Sequence, residues 1–168
     1  MSNLRTSVLV LVILGEAGAG AELILLGHTE EFWQLVPIVL LGLGVVIGVL
    51  VLIRSRRAAL RTHQVVMTLF VIAGPIGLFQ HYSGNAEFEL EMYPSMGGWE
   101  LVWESLTGAT PALAPATMIY LGLLGLAYVY RHPVLTTTME RHPLTERHPL
   151  TERQPLIERQ PLGGEEKP

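Results

Sequence analysis

Cysteine is absent from all 168 residues, which excludes disulfides, thiolate metal sites and cysteine nucleophiles. Aspartate is absent too, so every acidic side chain is a glutamate, and Lys167 is the sole lysine. The net charge of −4 is too small to mark a partner by itself. No nucleophile–base pair, phosphate-cradling loop or cofactor motif is visible. The chain therefore reads as non-enzymatic, and no nucleic-acid partner is expected.

What the chain does have is apolar residues in blocks. Nearly half of it is apolar, and these residues are not interspersed with polar ones at helical or strand spacing, as a soluble core would require. Four runs stand out, at about 7–27, 35–53, 64–80 and 110–130. Each is close to the ~20 residues that cross ~30 Å of hydrocarbon. The expected fold is an all-α integral membrane four-helix bundle over residues 1–135. An outer loop at 81–109 carries a short amphipathic helix, and a low-complexity tail follows at 136–168.

Charge distribution orients the spans. Arg54, Arg56, Arg57 and Arg61 lie between spans two and three, Arg5 precedes span one, and Arg131 follows span four. Short arginine-rich loops stay cytoplasmic, so both termini are expected inside, in a bacterial inner membrane. The opposite loops contain no lysine or arginine. Residues 1–21 also resemble a signal peptide, with small residues at Ala17, Ala19 and Ala21, but the apolar run resumes at once at Leu23.

Glu16 sits mid-way along span one, about 13 Å above its inner end. A carboxyl at that depth must face protein or water and is expected to carry its proton. Tyr120 and Thr117 on span four, and the Val71 carbonyl freed by Pro75 on span three, lie at similar depth. Glu22 lies about 9 Å further out and about 120° around the helix. Glu16, Glu22, Thr117 and Tyr120 form a candidate proton or cation path. The bland alternative is a hydrogen-bonded lock that fixes helix register. His63 and Gln64 are the candidates for an inner exit.

The outer face carries other candidates. His28 and His81 close spans one and three at the same boundary, with Glu31 and Glu87 nearby. Two imidazoles with carboxylates suit a divalent transition metal; a solvated acidic surface is the alternative. Glu87-Phe-Glu-Leu-Glu-Met92 alternates strictly and predicts an extended strand. Trp99 to Leu106 predicts a short amphipathic helix, with Trp33, Trp99 and Trp103 as interface anchors. From Glu140 the chain repeats a Glu-Arg-(His/Gln)-Pro-Leu-x hexad, with Thr, Thr, Ile and Gly at the sixth position. Proline every six residues forbids a long helix, and a disordered or polyproline-like tail is expected.

The expected role is a non-catalytic subunit or accessory protein of a larger membrane assembly. Its partners would be the lipid bilayer and either other membrane subunits or further copies of itself. Proton or divalent-cation handling is the alternative. The absence of cysteine makes the topology directly testable. A membrane-impermeant maleimide applied from outside should label the Ser95→Cys variant and spare Ser55→Cys until the membrane is permeabilised. Labelling of both from one side would overturn the orientation.

Overall fold

The computed structural model describes residues 2–108 and 110–136. The chain forms α1 (Ser2–Leu25), α2 (Phe32–Ile53), α3 (Arg57–Met92), α4 (Gly98–Thr107), α5 (Ala116–Val129) and α6 (Pro133–Thr136), with no strand among the described residues. Three helices, α1, α2 and α3, are long and apolar enough to cross a membrane. α5 is apolar but has only 14 residues, about 21 Å of rise. The hexad repeat lies outside the described residues.

Each long helix turns one stripe inward at helical spacing. On α1 the buried stripe is Leu9, Val12 and Glu16; on α2 it is Leu41, Gly44, Gly48 and Val51; on α3 it is Leu60, His63, Met67, Phe70 and Gly74. α5 contributes Met118, Leu121, Gly122, Gly125 and Tyr128. α3 packs on α5 and α2, and α1 packs on α2 and α5. Helices surrounded by lipid associate through close contact of small residues, because lipid is as apolar as leucine. Here the approach is backbone-close: a β-carbon at position 122 would fall 2.7 Å from the Met67 carbonyl oxygen, and one at position 15 would fall 2.7 Å from Leu121 Cδ2.

α1 ends where Gly27 adopts a left-handed φ of 68°. The His28 amide then donates to the Leu23 carbonyl at 2.9 Å and the Gly27 amide to Ile24 at 3.1 Å. This pair of bonds is the Schellman stop, which a glycine adopts without strain.

Two expectations are corrected. The predicted strand at 87–92 is helix, because α3 runs unbroken from Arg57 to Met92 rather than over 64–80. Glu, Leu and Met are strong helix formers and none is β-branched; α3 simply continues beyond the apolar run, and alternation there carries no burial pattern to enforce a strand. The fourth element is also shorter than 110–130. Turns with i+3 bonds occupy its start, from the Ala114 amide to the Pro111 carbonyl at 3.0 Å through the Met118 amide to Pro115 at 3.0 Å. Pro111 and Pro115 lack the amides that a regular first turn and its continuation would use.

The segment 81–109 is therefore largely helical among its described residues. α4 packs on α3, with its Ser105 buried and Trp99 and Trp103 exposed. Asn85 fastens the two. Its Nδ2 donates to the Ser105 carbonyl at 2.9 Å and the Thr110 carbonyl at 2.7 Å. Its Oδ1 accepts from the Thr110 amide at 3.2 Å and hydroxyl at 2.6 Å. Every hydrogen-bonding group of a buried amide side chain is thereby used, which buried polar groups require.

Candidate functional site

Glu16 is completely buried. It occupies the same α1 stripe as Leu9 and Val12, so helical periodicity alone turns it inward. The carboxyl lies in a slot on α2: a β-carbon at position 44 would sit 2.6 Å from Oε1, and one at position 48 would sit 4.0 Å from Oε2. Phe70 closes the slot from α3, its Cζ 3.0 Å from the same position-44 β-carbon. The Gly44-x-x-x-Gly48 pair thus does more than bring helices together. It makes room for a carboxyl that no other residue at position 44 would admit in this conformation.

Neither carboxyl oxygen has a hydrogen-bond partner. The expected register lock is therefore not formed: Val71, Thr117 and Tyr120 do not reach Glu16. Tyr120 is 62% exposed and Thr117 is exposed, because both lie off the α5 stripe that faces the interior. Glu22 is exposed as well. Of the four residues in the expected path, Glu16 alone faces the interior.

His63 is the second such group. It is fully buried on α3, where its ring nitrogens make no hydrogen bond of full geometry and the Gly125 backbone is the polar group beside them. Its ring meets Tyr128 edge-on at 5.9 Å between centroids, and a β-carbon on Gly125 would lie 3.2 Å from Nε2. Tyr128 in turn stands 5.6 Å from the His132 ring. His63 lies seven residues before Phe70 on α3, about 10 Å along the axis toward the arginine-rich end. The interior thus holds a carboxyl with no hydrogen-bond partner and an imidazole whose polar neighbour is the Gly125 backbone.

At the opposite end, the structure brings His28 and His81 together, with ring centroids 6.1 Å apart. Glu31 and Glu87 are exposed and do not join them. Glu31 occupies the N-cap of α2. Six residues along a continuous helix place Glu87 about 120° around from His81. Among the described residues no group of three or more metal-binding side chains exists. Trp33 is exposed like Trp99 and Trp103.

Sequence reasoning missed Asn85, read as part of a loop, and took His63 as a candidate inner exit without marking it as buried. The spacing of His63 with Leu60, Met67 and Phe70, at three and four residues, carried the signal for burial.

The slot makes a specific forecast. Gly44→Ala should destabilise the protein by about 1–3 kcal/mol through overpacking, read as a lower thermal midpoint in detergent. Glu16→Ala in the same chain should recover most of that loss, because it removes the atoms the new methyl meets. Additive losses in this double-mutant cycle would show that the carboxyl does not fill the slot.

No protein-family model, no curated protein and no solved structure matches this chain.

Proposed function

We propose that this chain is a four-span bacterial inner-membrane protein that takes up protons in its interior, with Glu16 as the binding group. The fourth span is α5 together with the turns that precede it. Both termini and the arginine loop face the cytoplasm. The observation that carries this reading is the complete burial of Glu16 with both oxygens unpartnered.

A purely structural polar group in such a place would be hydrogen-bonded, because an unsatisfied buried one costs about 1–3 kcal/mol or more. Leucine would fill the space without that penalty. An intramembrane carboxyl that keeps the penalty is best explained by its ability to gain and lose a proton. A divalent cation fits less well, since such ions gather several oxygen or nitrogen ligands and Glu16 has no second ligand beside it. His63 is the next ionisable group toward the cytoplasmic end, and a transient water chain would bridge the ~10 Å between its level and that of Phe70.

A second reading rests on a different face. Gly18 and Glu22 are exposed on the outward side of α1, and a β-carbon at Gly18 would have nothing within 4 Å. Small residues at such a position seat another helix, and the seat would also cover the Glu22 carboxyl. This supports a subunit or accessory role in a larger membrane assembly, or a homo-oligomer, and is compatible with proton handling.

Purified protein in liposomes with an internal pH-sensitive dye should show proton uptake under an imposed potential. Glu16→Gln should abolish it while leaving the thermal midpoint nearly unchanged. Flux equal in the variant, or none in the wild type, overturns the reading. For the second reading, Gly18→Leu should dissociate a stoichiometric partner or oligomer seen after mild solubilisation; recovery of an unchanged complex, or of monomer alone from the wild type, sinks it.

A further inference from the structure

At the arginine-rich end, a groove of about 610 Å³ opens between the first turns of α3 and the chain leaving α5. Arg57, Arg61 and Arg131 line it, with Leu126 and Val129 as an apolar wall. Among the described residues no glutamate lines it.

The groove is built rather than incidental. The Arg57 guanidinium is anchored, donating to the Leu135 carbonyl at 3.0 Å. Arg131 has a left-handed φ of 49°, a conformation that side-chain-bearing residues seldom adopt. Its guanidinium stands 5.6 Å over the Tyr130 ring. The Arg5 guanidinium bonds the same turn, donating to the Tyr128 and Arg131 carbonyls at 3.2 and 3.3 Å. His132 also lines the groove. Burial first, and the Arg5 guanidinium second, lower its pKa below the ordinary imidazole value. The positive charge here is therefore arginine's.

We propose that this groove binds the phosphate headgroup of an anionic phospholipid, with acyl chain laid against Leu126 and Val129. The apolar stretch of α3 begins just past Gln64, so the arginines stand where a membrane's headgroups would lie. Guanidinium groups match phosphate oxygens in a two-pronged geometry that lysine cannot reproduce. Basic pockets between helices at this depth are suited to anionic headgroups. The apolar wall distinguishes a lipid from free phosphate, which gains nothing from leucine and valine. This inference rests on the membrane placement and not on proton uptake at Glu16.

Native mass spectrometry of the full chain in mild detergent tests it, with phosphatidylglycerol and phosphatidylcholine added in equal amounts. The wild type should retain phosphatidylglycerol in preference. The double variant Arg61→Gln with Arg131→Gln should bind it about thirty-fold more weakly. Arg54→Gln, outside the groove, should retain it, as should Glu16→Gln, so that this inference and the proposed function can fail separately. A thermal midpoint for each variant, and the single exchange at exposed Arg61, separate lost binding from lost folding. Equal retention of the two lipids, or retention undiminished in both groove variants, overturns the proposal. So does an equal loss in Arg54→Gln. Displacement of the lipid by millimolar inorganic phosphate would assign the groove to free phosphate and overturn the lipid assignment.

Discussion

Close approach of helix backbones at glycine organises this protein. At Gly122 the next backbone is so near that a single methyl would meet the Met67 carbonyl oxygen. Where surroundings are apolar, contact of this kind supplies the attraction between helices. The same closeness dictates the chemistry of the interior. Gly44 and Gly48 bring α2 against α1 and leave only the space that the Glu16 carboxyl fills. A side chain at position 44 would have closed the slot and left Glu16 no room in its present rotamer, and one at position 48 would have met Ile13.

Polar groups are consequently divided between the ends and the middle. At one end the Arg5 and Arg57 guanidinium groups bond backbone carbonyls in the last turn of α5 and on the chain after it, groups that the end of a helix leaves without amide donors. At the other end Asn85 satisfies four backbone and side-chain partners at once. These bonds tie the ends together. Glu16 and His63 lie between, in the apolar interior, where the Glu16 carboxyl has no such bond.

Much of this was legible in the chain. Charge asymmetry and apolar runs marked the long helices. The shared boundary of His28 and His81 foretold their proximity. The inward face of Glu16 follows from its spacing with Leu9 and Val12. Depth along a helix proved easier to read than direction around it: Thr117 and Tyr120 were placed by rise per residue, yet Tyr120 lies about 200° from Gly122, on the far side of α5. The strict alternation at 87–92 misled because period two implies a strand only where one face is buried, and here neither face is buried. Asn85 carried no local signal, since its partners on Ser105 and Thr110 lie 20 and 25 residues away.

The 36 residues of α3 make a rod of roughly 54 Å, nearly twice the thickness of a hydrocarbon layer. Residues that clasp α4 and residues that border the Glu16 slot belong to this one continuous helix, on either side of Pro75. Pro75 has no amide to donate to the Val71 carbonyl, so the weakest joint of the rod falls between the seat of α4 and the wall of the slot.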